Sequence, residues 1–336
     1  MSSGKTLILN TGHKMPALGC GTWQAAPGEV EKGVYEALKV GYRHLDLAKI
    51  YLNQREIAHG VKKALADVPG LKREDIFITS KLWNNKHRPE DVEPALDDTL
   101  AELELDYLDL YLMHWPIAFA AGDNLFPQKE GTRQPALDQT VSICQTYVST
   151  FFAAMTELPK SKVRSVGVCN FSIEHLEGII SDSGVVPAVN QVEHHPRIPN
   201  APLDEYCRKN NIIITAYSPF GNNSFGVPLL VSTPEVKAIA QRLSKVQGKT
   251  VTPAQVILAW FRHGGHAVIP KSVNPARIQE NFQEIELDDE AIQAVNKLGE
   301  KPQRFNIPVA YTPSWDINVF GDEKERGTSH QVVIKL

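Results

Sequence analysis

The feature that most constrains the fold is a repeated alternation of short apolar segments with longer amphipathic segments. Eight apolar segments are followed by stretches of helical periodicity, without a linker between the repeats. The predicted strands cover 17–20, 42–45, 76–80, 108–113, 163–168, 187–191, 212–216 and 267–270. The predicted helices cover 28–40, 54–66, 89–103, 139–158, 172–181, 202–210, 234–246, 253–263, 275–283 and 288–298. The strands are continuously apolar, which is typical of sheets buried on both faces.

Eight strand–helix units predict an α/β fold, a (β/α)8 TIM barrel that spans residues 1–336 as a single domain. Residues 6–19 predict an N-terminal hairpin, and extra helices follow the eighth strand. A doubly wound sheet is the alternative, but no Gly-x-Gly-x-x-Gly follows an early strand. Two segments interrupt the alternation, an insertion at 117–138 and an irregular tail at 300–336. The tail's aromatic residues would form either a lid over a pocket or a clamp on the barrel wall.

Composition excludes several classes of function. A hydrophobic content of 42% and a charged content of 22% indicate a globular protein with a large core. The net charge of −4 argues against a nucleic-acid partner. No apolar run approaches the roughly 18 residues of a membrane span, and the N-terminus lacks a signal-peptide core. The four cysteines contain no CxxC pair, which favours a reducing cytosol over a disulfide framework or a structural zinc site.

Polar and aromatic side chains follow each predicted strand. In chain order they are Gly21-Thr22-Trp23, Asp46 with Tyr51, Lys81 to Asn84, His114-Trp115-Pro116, Cys169-Asn170, Gln191 with Glu193, Tyr217-Ser218 and Lys271-Ser272. Because the carboxyl ends of barrel strands meet at one rim, we expect these side chains to converge there.

Asp46, Tyr51, Lys81 and His114 together predict proton transfer without a metal. A tyrosine with a pKa near 10 donates a proton poorly at neutral pH, and a nearby ammonium stabilises its phenolate. Lys81 could supply this ammonium, and Asp46 would keep the lysine charged. A neutral His114 could orient a substrate carbonyl. Taken singly, these residues also fit a structural ion pair and a core histidine. Lys49, in the same stretch as Asp46 and Tyr51, is interpreted as a solvated loop charge.

Residues 269–281 predict a phosphate site. Lys271, Ser272, Asn274 and Arg277 lie where the eighth strand meets a helix N-terminus, which favours a bound anion. Arg277 can bind a phosphate in a bidentate manner, and Lys271 adds a point charge. A solvated basic helix start is the alternative. A phosphate-bearing cofactor bound here, with its reactive end at the centre of the rim, would complete an active site.

Several motifs resemble the signatures of the aldo-keto reductases, and within that family the fungal NADPH-dependent aldehyde reductases most. The motifs are Asp46-x-Ala48-x-x-Tyr51, Lys81 after Ile78-Thr79-Ser80, His114-Trp115-Pro116, Gly167-Val168-Cys169-Asn170-Phe171 and Ile269-Pro270-Lys271-Ser272. The resemblance implies a barrel in which a hydride passes from NADPH to the carbonyl carbon of a small-molecule substrate. Tyr51 would protonate the carbonyl oxygen.

The resemblance also implies a set of binding residues. Those implied for NADPH are Thr22, Trp23, Asp46, Cys169, Asn170, Gln191, Tyr217, Ser218, Phe220, Lys271, Ser272, Val273, Asn274, Arg277, Glu280 and Asn281. Those implied for the substrate are Trp23, Trp83, His114, Trp115 and Trp315, with the tail as part of the pocket. The loop at 221–226 would cover the pyrophosphate.

The sequence departs from the family pattern at four places. Cys169 stands where serine is usual, and a thiol is a weaker hydrogen-bond partner. Gln54 replaces a frequent glutamate, helix 139–158 lacks its usual tryptophan, and His194-His195 replaces a more ordinary pair. A metal role for that pair is not expected, since adjacent residues on a strand end point apart.

These observations predict a cytosolic, monomeric, NADP-dependent oxidoreductase acting on aldehydes and some ketones. A non-catalytic NADPH-binding regulatory barrel is the alternative. A metal-dependent hydrolase would need clustered ligands on the strand ends, and His114 alone is placed that way.

Overall fold

The computed structural model describes residues 5–148, 154–223 and 226–336. Eight parallel strands pair in chain order around a barrel. They are β3 (Cys20–Gly21), β4 (His44–Asp46), β5 (Phe77–Leu82), β6 (Leu108–Met113), β7 (Val163–Cys169), β8 (Val189–Glu193), β9 (Ile213–Tyr217) and β10 (Ala267–Val268). The barrel closes where Leu18 and Gly21 form parallel bridges to Val268 and Lys271. The predicted (β/α)8 barrel is confirmed.

Helices surround this barrel. They are α1 (Glu29–Val40), α2 (Gln54–Asp67), α3 (Pro89–Leu103), α4 (Ile143–Tyr147), α5 (Ile173–Ser183), α6 (Ala201–Lys209), α7 (Pro234–Gln247), α8 (Pro253–Gly264), α9 (Pro275–Phe282) and α10 (Asp289–Asn296). Their ends follow local signals. At α8, Thr252 accepts a hydrogen bond from the backbone of Gln255, Pro253 occupies the first turn, and Gly265 closes the helix at a φ of 80°.

An N-terminal hairpin seals one end of the barrel. Strands β1 (Thr6–Ile8) and β2 (Lys14–Pro16) pair antiparallel, as the sequence predicts. Leu9 and Met15 pack with the interior side chains Phe77 and Leu110. This apolar layer fills the end at which the strands begin, so the opposite end is left for polar chemistry.

Close packing between strands explains one glycine in the barrel. A Cβ on Gly167 in β7 would lie 2.6 Å from the carbonyl oxygen of Val189 in β8. A larger residue could not occupy this position unless the two strands separated.

Some predicted boundaries are wrong. Within the described part of the predicted helix 139–158, the structure has the short helix α4 and a 3-10 helix at Met155–Glu157, and residues 149–153 lie outside the described residues. A capping box at Ser142 starts α4, and Val148 is already extended. The strand predicted at 17–20 lies instead at Cys20–Gly21. The strand predicted at 267–270 is reduced to Ala267–Val268, and Pro270 has no N–H to continue its ladder.

The C-terminal tail crosses the rim and then binds the outer helices. Its short strand β11 (Ile317–Asn318) pairs in parallel with β12 (His330–Gln331). Beyond β12, the carbonyl oxygens of Val333 and Ile334 accept hydrogen bonds from the first residues of α4. The end of the tail is therefore fixed to the barrel wall, and a lid formed over a pocket by the tail's aromatic residues stays a prediction.

Two buried carboxylates hold the part of the tail that crosses the rim. Glu193, at the end of β8, accepts hydrogen bonds from the backbone of Phe305 at 2.9 Å and of Asn306 at 2.8 Å. Glu325 accepts hydrogen bonds from the backbone N–H groups of Val319, Phe320 and Asp322. These charge-assisted bonds replace the regular ladder that an irregular segment lacks.

We expect Glu193→Gln to lower the free energy of unfolding by about 1–3 kcal/mol at neutral pH. Burial raises the pKa of Glu193, but hydrogen bonds from His195, Asn306 and Phe305 outweigh burial and lower it. The stabilisation is therefore full above the carboxyl's ordinary pKa of 4.5 and is lost as the pH falls through the lower pKa of the folded state.

Urea denaturation at neutral and acidic pH tests this expectation. The difference between wild type and Glu193→Gln should shrink in acid. Glu36→Gln, which changes an ion pair between the partly exposed Glu36 and the exposed Lys39, is the control and should have little effect. A pH-independent difference for Glu193→Gln would contradict the assignment.

Candidate active site

The strand ends bring the four predicted catalytic side chains to one rim. Asp46 ends β4, Lys81 lies near the end of β5, and His114 follows β6. Tyr51 lies in the short 3-10 helix Lys49–Tyr51 that follows β4. All four residues lie at the end of the barrel opposite the apolar hairpin layer.

A fully buried ammonium group is the centre of the site. The Nζ of Lys81 donates to Asp46 Oδ2 at 2.7 Å and to the carbonyl oxygen of Leu47 at 2.7 Å. It lies 3.4 Å from the phenol oxygen of Tyr51. Gln191 Nε2 donates to the other oxygen of Asp46 at 2.7 Å. The carboxylate is thus satisfied on both sides, and the ammonium reaches the phenol.

Opposing effects set the charge states of this group. Burial is the largest single effect and would lower the pKa of Lys81, but the charge of Asp46, further effects of Tyr51 and Cys169, and the hydrogen bond to Asp46 together outweigh burial and hold the pKa above its usual value. Burial raises the pKa of Tyr51 to about 12, and the charge of Lys81 opposes that rise only in part. At neutral pH the lysine is therefore charged and the phenol carries its proton.

His114 is neutral in this environment. Burial first, and then the charge of Lys81, hold the pKa of His114 well below its usual range. Its ring meets those of Tyr51 and Trp83 edge to face, with centroid distances of 5.9 and 5.2 Å. A neutral imidazole beside the phenol can form a hydrogen bond to a carbonyl oxygen without adding a charge.

A second polar group lies at the ends of β7, β8 and β9. Tyr217 donates its phenol proton to Asn170 Oδ1 at 2.7 Å, and Asn170 Nδ2 donates to the carbonyl oxygen of His114 at 3.0 Å. The thiol of Cys169 lies 3.9 Å from Gln191 Oε1. Asn170 and Ser218 have positive φ values of 66° and 50°, and such backbone strain clusters at functional sites.

Aromatic residues form a wall beside His114. Trp83, Trp115 and Trp315 are each about 5% exposed or less, and Trp315 packs edge to face on both Trp83 and Trp115. Phe119, from the insertion, packs on Trp83 and Trp315 and was missing from the predicted set. Trp23 is 40% exposed.

The insertion at 117–138 is anchored to this wall. The indole of Trp83 donates to the carbonyl oxygen of Leu125 at 2.7 Å. Asn85 Nδ2 donates to the carbonyl oxygens of Gly122 and Asn124. The insertion is therefore held by side chains that follow β5.

A group of cationic and hydrogen-bonding side chains lies at the start of α9. Asn274 caps the helix by accepting a hydrogen bond from the backbone of Arg277 at 3.1 Å. Lys271 donates to the carbonyl oxygen of Gln24 at 3.0 Å, and Arg277 is exposed without an ion-pair partner among the described residues. Cationic side chains beside helical N–H groups fit a phosphate dianion.

Two residues near Tyr51 contact α3, and for Lys49 this contact differs from the sequence interpretation. Lys49 is not a solvated loop charge, because it pairs with Asp98 and with Glu102 of α3, and its side chain is 21% exposed. Gln54 donates to Glu102 Oε2 at 2.8 Å. Asp98 and Glu102 lie four residues apart on α3, and like charges at this spacing are unfavourable in a helix without a cation nearby. Their spacing was a sequence signal for a cationic partner that the sequence interpretation missed.

Two further observations come from the described part of the chain. Within it, no group of three or more His, Cys, Asp and Glu side chains is arranged to hold a metal ion. Among the same residues, no helix has the length and apolar character needed to cross a bilayer.

Comparisons with known proteins agree with this geometry. The model of the aldo/keto reductase family matches residues 17–300. The chain is 71% identical to the D/L-glyceraldehyde reductase of Hypocrea jecorina over the full length of both proteins. It is 42% identical to aldo-keto reductase family 1 member A1 of Gallus gallus, over 92% of this chain and 93% of that one. The aldose reductase of Schistosoma japonicum superposes with a TM-score of 0.79 and 38% identity, covering 91% of this chain and 95% of that one.

The buried ion pair between Lys81 and Asp46 should contribute to the free energy of unfolding in a way that two variants can test. Lys81→Met leaves the carboxylate of Asp46 without its partner, so we expect it to lower the free energy of unfolding by about 3–5 kcal/mol. Adding Asp46→Asn to Lys81→Met removes the unpaired charge and should recover part of that loss. Urea denaturation of both variants measures the difference. A double variant less stable than Lys81→Met would show that the charge is not the cause.

Proposed function

The chain belongs to the aldo/keto reductase family, and we propose that it reduces aldehydes, and some ketones, to alcohols with NADPH as the hydride donor. The observation that carries this proposal is the placement of one buried ammonium, Lys81, in contact with both Asp46 and the phenol of Tyr51. When bound, NADPH supplies the hydride that the carbonyl carbon accepts. The residues of the chain supply the proton and orient the substrate.

In this mechanism Tyr51 is the proton donor. With a pKa of about 12, its phenol carries a proton at neutral pH. As the carbonyl oxygen gains negative charge, the phenol transfers its proton to that oxygen, and the ammonium of Lys81 stabilises the phenolate left behind. Asp46 keeps Lys81 charged and fixed. The neutral imidazole of His114 orients the carbonyl oxygen toward Tyr51.

The second polar group and the start of α9 are proposed to hold the cofactor. Tyr217 would stack on the nicotinamide, while Asn170, Gln191 and Cys169 would bind its carboxamide. The adenosine 2′-phosphate would be bound at the start of α9 by Lys271, Ser272, Asn274 and Arg277, with Val273, Glu280 and Asn281 nearby. Thr22, Trp23, Ser218 and Phe220 would complete the contacts. The cationic set fits NADPH better than NADH because a 2′-phosphate gives Arg277 a partner.

Substrate contacts are proposed for Trp23, Trp83, His114, Trp115 and Trp315. The likeness to a glyceraldehyde reductase supports small hydroxylated aldehydes, and the aromatic wall suits moderately apolar carbonyls as well. A cytosolic location and a monomeric state stay predictions. A regulatory NADPH-binding barrel is the second candidate, and multiple turnover with glyceraldehyde separates the two functions.

Tyr51→Phe tests the proton donor. The change removes one hydroxyl and keeps the ring, so we expect kcat to fall by about 10²–10⁴-fold while NADPH binding stays nearly unchanged. Steady-state kinetics with glyceraldehyde and fluorescence titration with NADPH measure the two effects. Tyr107→Phe, at the opposite end of the barrel, is the matched control and should keep wild-type kcat. Retained activity in Tyr51→Phe would refute the role.

Arg277→Ala tests the phosphate site. Because hydrogen bonds to charged groups contribute about 1.5–3 kcal/mol, we expect the Kd for NADPH to rise about ten- to hundredfold. The Kd for NADH should change little. Arg208→Ala, which removes an exposed arginine from α6, is the control. Equal losses for both cofactors would rule out contact with the 2′-phosphate.

A further inference from the structure

The backbone segment that carries Tyr51 is bent and strained. Tyr51 ends the 3-10 helix Lys49–Tyr51, and α2 starts three residues later at Gln54. Between them, Leu52 has a φ of +57° although it is not glycine, and its side chain is 76% exposed. A residue in this conformation is strained and persists only where neighbouring contacts hold it.

One carboxylate contacts both ends of this segment. Glu102 of α3 accepts from Lys49 at 2.9 Å through Oε1 and from Gln54 at 2.8 Å through Oε2. Lys49 precedes Tyr51 by two residues, and Gln54 follows it by three. Asp98, one helical turn before Glu102, also pairs with Lys49. The four side chains of Lys49, Gln54, Asp98 and Glu102 are called the α3 clamp below.

A further hydrogen bond joins the α3 clamp to β5, the strand that carries the catalytic lysine. Ser80 Oγ donates to Gln54 Oε1 at 2.7 Å, and Ser80 precedes Lys81 in β5. Gln54 is 2% exposed, and both atoms of its amide are used in this chain of contacts. The same hydrogen-bond chain therefore reaches the Tyr51 segment and the strand of Lys81.

We propose that Lys49, Gln54 and Glu102 are positioning residues that set the distance between the Tyr51 phenol and the Lys81 ammonium. The proposal rests on the proposed function, because it assigns these residues to the proton donor of the reduction. None of them touches the substrate in this role.

The geometry makes the reaction sensitive to the clamp. Tyr51 OH lies 3.4 Å from Lys81 Nζ, already at the long end of a hydrogen bond. A displacement of about 1 Å at a reacting group can cost on the order of a hundredfold in rate. The hydrogen bonds and ion pairs of the clamp join α3 to the Tyr51 segment and to β5 rather than to the start of α9, so its loss should change proton transfer and leave cofactor binding unchanged.

The experiment compares Lys49→Met and Glu102→Ala with the conservative Lys49→Arg, using the enzyme saturated with NADPH and glyceraldehyde as substrate. Lys62→Met is the matched control, because Lys62 of α2 pairs with Glu104 beside the end of α3 at 3.1 Å and does not contact the Tyr51 segment. Kinetics give kcat and KM, and NADPH deuterated at the transferred position gives the isotope effect on kcat. Fluorescence titration gives the Kd for NADPH, and thermal unfolding gives Tm.

We expect kcat to fall about ten- to hundredfold in Lys49→Met and Glu102→Ala, with a Kd for NADPH within about twofold of wild type. The isotope effect on kcat should rise, because chemistry becomes slower relative to product release. Lys49→Arg should keep most of the activity, and Lys62→Met should keep all of it. If Glu102→Ala fails to fold, Lys49→Met decides the question.

Two results would overturn the proposal. One is a kcat within twofold of wild type in Lys49→Met. The other is a loss of kcat in the control Lys62→Met as well, with the kcat of each variant falling in proportion to its Tm. That result would indicate a general effect of surface ion pairs on stability. A failure of the proposed function is distinct from either result, because then the wild-type protein would not turn over glyceraldehyde or Tyr51→Phe would remain active.

Discussion

The buried ion pair between Lys81 and Asp46 is the interaction on which the rest of the site depends. A lysine with no exposed surface keeps its charge only if a counter-ion and further hydrogen bonds replace the water it has lost. Asp46, the carbonyl oxygen of Leu47 and the phenol of Tyr51 supply those contacts. The need to satisfy one charge therefore brings together the ends of β4 and β5 and the 3-10 helix between them.

The irregular parts of the rim are held in the same manner as its centre. Loops lack the repeating hydrogen bonds of strands, so their buried N–H groups need other acceptors. Glu193 and Glu325 accept hydrogen bonds from backbone N–H groups of the tail, whereas Glu102 accepts from the side chains of Lys49 and Gln54 on either side of Tyr51. Each is a carboxylate fixed on a regular element or within a tight turn, and each orders a segment whose own sequence does not specify a conformation.

Much of the fold could be predicted because its signals are local. Apolar β-branched runs predict strands, and caps such as Thr252 with Gln255 predict the start of helices. The misses also have physical causes. The long helix predicted at 139–158 is cut short because Ser142 caps a new start and Val148 is extended. Lys49 resembled a solvated charge because its partners, Asp98 and Glu102, lie about fifty residues away in the sequence.

The sequence by itself determined the alternation of strands and helices, the family, and which side chains follow each strand. Only the tertiary structure decided which of them touch, because the contacts that matter join distant parts of the chain. Lys81 meets Asp46 across 35 residues, and Gln191 meets Asp46 across 145. Such distances are set by barrel closure and side-chain packing, which no local pattern encodes. The tail's course over the rim and the α3 clamp depend on the same long-range contacts.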